Sequence, residues 1–194
     1  LAIWTSPGLA AEWRSAGRGL FLNGLILGVA QTYTYFRAVQ TIPSSVVVTV
    51  FFVYPMIMLA IDRFIFAIPV HRSSIAAATL IFIGALFAGW PSLGVGSADA
   101  VGILCALATP FVYSAYVAIA YRYTRQASAF AGASAIYLGI GLGYAIVVAF
   151  SGFKMPESVE AWRHLLAIAL IGGVIPVVSF AYALPRLSGA RYSI

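Results

Sequence analysis

The sequence predicts an all-α membrane protein, a polytopic helical bundle with six transmembrane helices. Hydrophobic residues make up 62% of the 194, charged residues only 8%, and mean hydropathy is +0.99. A water-soluble domain carries about 25% charged residues, so this chain cannot face water all round. Its apolar residues also fall into six runs free of Asp, Glu, Lys, Arg and His, at 19–36, 38–61, 73–98, 100–121, 126–153 and 165–185. Each run has about 18 residues or more, enough for a helix to cross a hydrocarbon core of roughly 30 Å. The runs lack the alternation of barrel strands, and backbone in lipid must bond to itself, so helices are the remaining choice.

Taken in order, the runs alternate between two sets of charges. The first follows Arg14 and Arg18 and ends at Arg37, after which the chain turns at Thr41-Ile42-Pro43-Ser44-Ser45. The second descends to Arg63, and the third rises from Arg72 to Asp99. The fourth descends to Arg122 and Arg125, the fifth rises to Lys154, and the sixth starts past Arg163 and ends at Arg186. With the start inside, Arg14, Arg18, Arg63, Arg72, Arg122, Arg125, Arg186 and Arg191 lie on the inner side. Only Arg37, Lys154 and Arg163 lie outside, with Asp99, Glu157 and Glu160. Such a bias sets orientation by the positive-inside rule.

The net charge of +6 is therefore an orientation signal. Basic residues come singly or in pairs between apolar runs, with no stripe to follow a phosphate backbone, so no nucleic-acid partner is expected. The single cysteine, Cys105, sits inside the fourth run, which rules out a disulfide framework and a cysteine metal cluster. The chain does not begin with Met and no signal-peptide n-region precedes its first apolar run, so no signal peptide is expected.

The chain also repeats itself. Shifted by 145 positions (157 − 12), residues 12–49 overlie 157–194 without a gap. Glu12 meets Glu157, Arg18 meets Arg163, Leu20 meets Leu165, Gly28 meets Gly173 and Ala38 meets Ala183. Apolar composition alone does not readily match a charged pair, a glycine and a small-residue turn. By the assigned orientation the first copy runs outward and the second inward. Inverted repeats need an odd number of spans each and are a mark of secondary transporters. Five spans separate the copies, so the chain is expected to be a fragment lacking two helices at each end.

Several stretches resemble the EamA type of the drug/metabolite transporter superfamily, whose members have two five-helix repeats. Tyr35-Phe36-Arg37-Ala38-Val39-Gln40-Thr41-Ile42-Pro43-Ser44-Ser45 is similar to that family's aromatic end of helix three and its Ala-x-x-x-x-Pro-x-Ser turn. Tyr54-Pro55 falls where the family often has a proline in helix four, and Gly102 to Arg125 resembles the first helix of the second repeat. Phe180-Ala181-Tyr182-Ala183-Leu184 and Leu187-Ser188-Gly189-Ala190 resemble the second copy of the helix-three ending. The family's Gly-Glu-Arg after helix four is replaced by Phe66-Ala67-Ile68-Pro69-Val70-His71-Arg72, so a role borrowed from that carboxylate has no counterpart. The resemblance implies two domains: 1–95, with the third to fifth helices of one EamA repeat, and 96–194, with the first to third of the next.

Sites in this architecture are expected near the bilayer midplane, where helices are interrupted. Pro55, Pro110 and Pro176 each sit inside an apolar run and can kink a helix, either to expose carbonyls to a cavity or only to suit packing. Tyr54, Tyr113 and Tyr116 are the deepest tyrosines, and a phenol in lipid needs a hydrogen-bond partner, so they are candidate substrate-lining residues. Tyr35 and Tyr182 are equally well explained as interfacial belt residues, as is Tyr33, while Tyr121 and Tyr123 are expected in the inner belt. Gln31 lies one turn before Tyr35 and could bind substrate or tie two helices, like the other deep polar residues Asn23 and Thr109. Arg37 could contact an anion at the outer mouth, but placement at the membrane edge is energetically cheaper. Gly24–Gly28, Gly139–Gly143 and Gly84 with Ala88 are small-residue pairs suited to helix packing.

No acidic residue lies in the six runs, and His71 and His164 lie in loops on opposite sides. No metal, no cofactor and no enzymatic centre is expected, and a simple proton relay lacks its usual carboxylate. The expected function is transport of a small metabolite, such as an amino acid or aromatic compound, across a bacterial inner membrane by alternating access. The alternatives are a non-transporting membrane scaffold or subunit and, third, a membrane enzyme whose catalytic residue lies outside this chain. The partners are a small-molecule substrate and the lipid bilayer, with a homodimer formed through the glycine faces as a further option.

Overall fold

A computed structural model describes residues 16–89, 99–124, 129–152, 155–176, 179 and 182. Among them the chain is helical, without strands. The first run forms α1 (Arg18–Asn23), a π-helical segment (Gly24–Gly28) and α2 (Val29–Val39) in direct succession. After the turn come α3 (Ser44–Phe51), α4 (Tyr54–Phe64) and α5 (Arg72–Gly89). The remainder is α6 (Ala100–Thr124), α7 (Ala129–Ser151), α8 (Val159–Ala167) and a second π-helical segment, Ile168–Val174. Ser158 caps α8, its hydroxyl oxygen accepting from the Ala161 N–H at 3.1 Å.

Among the described residues, four helices are long and apolar enough to cross a membrane: Ser44–Phe64, Arg72–Gly89, Ala100–Tyr123 and Ala131–Ser151. The chain is thus a helical membrane bundle. Its large apolar side chains face outward, as with Leu80, Phe87, Leu104 and Phe111, which suits a lipid solvent. The first run and the described part of the sixth are helical too, but each contains a π-helical segment rather than one long α-helix. Those two segments coincide under the repeat: positions 24–28 shifted by 145 become 169–173, within Ile168–Val174.

The expectation that no carboxylate lies in a span fails at Asp62. The second run was bounded at its first charged residue, yet α4 continues through Asp62 and Arg63, because nothing there interrupts it. Asp62 is buried, 1% exposed. The helix ends only where Ala67 takes the left-handed conformation (φ 52°) and the Ile68 N–H folds back to the Asp62 carbonyl at 2.8 Å. Such a conformation costs a residue with a Cβ roughly 1–2 kcal/mol.

The chain packs as two units: Leu1–Ile26 with Arg122–Arg186, and Leu27–Tyr121 with Leu187–Ile194. In the first, α1 lies against α7 at backbone distance. A Cβ added at Gly24 would stand 2.3 Å from the Ile136 carbonyl oxygen, and one at Gly139 would stand 2.1 Å from that of Phe21. Leu20 and Ile136 are fully buried beside this contact, and Asn23 is buried as well. Small-residue packing therefore operates at these glycines. It does not at Gly84, where an added Cβ would meet nothing within 4 Å.

In the second unit, Ala38, Ile42, Val47 and Ala106 form a buried cluster, with Tyr35 and Cys105 packed against it. Thr49 joins α3 to α5: its Oγ1 lies 2.8 Å from the carbonyl oxygens of both Ser45 and Ala85. Gly89 permits that approach, since a Cβ there would fall 2.2 Å from Thr49 Oγ1.

Candidate functional site

Within the second unit, the span Ser44–Phe64 is broken at its middle. Pro55 has no N–H to give the Phe51 carbonyl, so the helical ladder lapses there. Phe52 ends α3 with ψ at 4°, and Val53 bonds back only three residues, to Val50, at 3.1 Å. Pro55 was expected inside a helix; it occupies the first turn of a new one, α4, where the missing donor costs nothing. Pro110, by contrast, lies within the continuous α6, where it leaves the Ala106 carbonyl without its helical donor. Pro176 is the last described helical residue of its stretch and is exposed.

The two interruptions meet at an aromatic cluster. Tyr54 and Tyr113 stand edge to face with centroids 4.9 Å apart. Phe51 stacks obliquely on Tyr54 at 4.9 Å and edge-on to Tyr113 at 5.0 Å. Tyr113 reaches Tyr116 at 6.1 Å, and Tyr35 meets Phe51 at 6.2 Å. Each such contact contributes about 0.5–1.5 kcal/mol beyond burial. Tyr54 is at the midpoint of its 21-residue span, so the cluster lies deep in the membrane. Ser114 ties the two helices at this level: its hydroxyl donates to the Pro110 carbonyl at 2.7 Å and lies 3.4 Å from the Tyr54 carbonyl. The site thus combines ring faces, a hydroxyl and peptide carbonyls released from helical bonding, all uncharged.

Of the tyrosines singled out from sequence, Tyr35, Tyr54, Tyr113 and Tyr116 come together, joined through Phe51. Phe51 and Ser114 are not among the residues that the sequence singles out; the signal for both is proximity to a proline, four residues before Pro55 and four after Pro110. Tyr33 and Tyr182 are exposed, 59% and 62%. Gln31 is half-buried and its amide oxygen accepts from Thr32 Oγ1 at 3.3 Å. Thr109 is fully buried, its hydroxyl donating to the Cys105 carbonyl at 2.7 Å. Tyr121 is not an interfacial belt residue: it is 9% exposed, packed edge to face with Phe66 at 5.5 Å. The ring of Tyr123 lies over Gly19, where a Cβ would come within 2.6 Å of it. In the other unit, Tyr137 donates its hydroxyl to the carbonyl of Gly173 in the second π-helical segment.

Arg37 is engaged at the end of α2. Its Nη2 lies 2.6 Å from Asp99 Oδ2. The other oxygen, Oδ1, accepts from Thr41 Oγ1 at 2.9 Å and from the Gly102 N–H at 2.7 Å. Asp99 therefore caps α6 and pins the turn after α2 in one step. These bonds, chiefly the one from Gly102, then Thr41 and Arg37, hold its carboxyl below the usual carboxylate range. Gly102 admits the arrangement, since a Cβ there would fall 2.1 Å from Thr41 Oγ1.

The model of the EamA-like transporter family matches residues 1–90, a stretch that holds α1 through α5. Comparison with curated proteins and with solved structures found no match.

Proposed function

We propose that the chain is a multi-pass carrier of a small metabolite in the bacterial inner membrane, a reading supported by the match of residues 1–90 to the model of the EamA-like transporter family. In this reading six spans from two inverted repeats rock around a central site, presenting it to each side in turn. The observation that carries the proposal is the break at Phe52–Val53, in mid-membrane, beside the rings of Phe51, Tyr54, Tyr113 and Tyr116. Irregular backbone at that depth is tolerated where it faces protein or a cavity. Ring faces with neutral acceptors suit an amino acid or an aromatic compound better than a polyvalent cation. Arg37 serves as an anchor at the outer edge, because its guanidinium is held by Asp99. Asp62 removes the ground for excluding proton coupling, since a buried carboxylate does lie in a span.

The scaffold reading draws less support. The glycines it would use for association, Gly24 and Gly139, are already covered by helix contacts within the chain.

Single cysteines at positions 54, 113 and 116, in a Cys105→Ala background, test whether the cluster faces a substrate path. Membrane-impermeant thiol reagents are expected to modify all three in the folded protein, and modification at 54 or 113 should block uptake. Positions inert from both sides of the membrane would contradict a central site.

A further inference from the structure

The inner ends of α4 and α5 frame a groove that the transport reading does not use, with a volume of about 510 Å³. Its walls are apolar, made by Leu59, Ala60, Pro69, Val70 and Ile75, and its one charged lining residue is Arg63. The two helices are consecutive and joined by the short segment 65–71, so the end of α4 and the start of α5 lie at the same level. Arg72 begins α5 one turn before Ile75 on the same face and is not itself part of the lining. Arg63, His71 and Arg72 are exposed there, whereas Asp62, the neighbouring acid, is buried and does not line the groove. Phe64, which also lines the groove, is 85% exposed, and its neighbour Ile65 is 70% exposed.

We propose that this groove binds an anionic phospholipid of the inner leaflet, with one acyl chain along Leu59, Ala60, Val70 and Ile75 and the phosphate against Arg63 and Arg72. The apolar body and the two-arginine mouth match the two parts of that molecule, and basic pockets between spans on the cytoplasmic side bind such headgroups. The proposal needs the helices to cross a bilayer with the Arg63 end inside; it does not need the transport cycle.

Native mass spectrometry of the protein in neutral detergent, titrated with palmitoyl-oleoyl phosphatidylglycerol or the phosphatidylcholine of the same chains, tests it. One phosphatidylglycerol is expected to bind in preference, and in R63Q/R72Q its affinity should fall roughly 25-fold, counting about a factor of five for each arginine near the surface. R63K/R72K should retain most of the preference. Ala60→Trp, which fills the groove and leaves both charges, should also weaken binding. Equal affinity for the two lipids, unchanged binding in R63Q/R72Q, or unchanged binding in Ala60→Trp would overturn the proposal. Equal competition by millimolar inorganic phosphate would do so too, since it would mean that the groove's apolar body contributes nothing.

Discussion

The contact of α1 with α7 and the meeting of α4 with α6 solve the same problem, holding helices together where lipid offers no hydrophobic drive, by opposite means. At the first, glycines bring one backbone to within van der Waals reach of another, and Gly139 faces the Phe21 carbonyl itself. Neither backbone can yield there. At the second, the backbone is interrupted, and rings on movable side chains fill the space around it. Rings can shift between rotamers, whereas a carbonyl in an intact helix cannot. The difference separates a contact fixed by backbone from one made by movable side chains.

That comparison can be broken first at its rigid end. Gly139→Ala should lower stability by about 3 kcal/mol, or roughly 6–12 °C in Tm, because the added methyl meets backbone and not a flexible side chain. Thermal unfolding in detergent reads this directly, and a loss of under 2 °C would mean that the helices slide apart at little cost. At the adaptable end, Tyr54→Ala should cost about 1–3 kcal/mol through its contacts with Phe51 and Tyr113. The protein should remain folded and monodisperse.

A smaller effect, sensitive to pH, is expected at the outer edge. Asp99 has a lowered folded-state pKa, so its contribution is fully present above the unfolded value near 3.8 and is lost as pH falls through the folded value. Wild type should therefore unfold a few degrees above Asp99→Asn at pH 6, and the two should converge only once pH has fallen below the lowered folded-state value. A gap that persisted in acid would assign the effect to shape and not to charge. Smallest of all is Gly84→Ala, which adds a methyl to open space. It should leave Tm unchanged or raise it slightly, since alanine is favoured over glycine in helices by about 0.5–1 kcal/mol.

Much of the fold was legible in the sequence because bilayer physics acts on composition: charge-free runs of sufficient length have to be helices. Helix ends were harder to read. Stopping a run at its first charge hid Asp62, because a charged residue near a membrane edge continues a helix as readily as it ends one. Tyr121 was misjudged for a related reason: depth along a helix follows from counting, but the face a side chain takes depends on its neighbour, here Phe66. Position alone brought out Tyr54, Tyr113 and Tyr116, while Phe51 and Ser114 needed the geometry of two proline interruptions. Arg37 could be placed at an edge from the cost of burying it, but its partner, 62 residues away, could not be read from that cost.

The central claim is that the mid-membrane aromatic cluster is where substrate binds, and counterflow tests it most directly. Proteoliposomes would be preloaded with unlabelled amino acids and aromatic metabolites, with each labelled compound supplied outside in turn. The account predicts saturable uptake of at least one compound by wild type and by Arg37→Gln, and uptake at least tenfold lower in folded Tyr54→Ala. Uptake by Tyr54→Ala equal to wild type, or no counterflow by the wild-type protein with any compound, would contradict it.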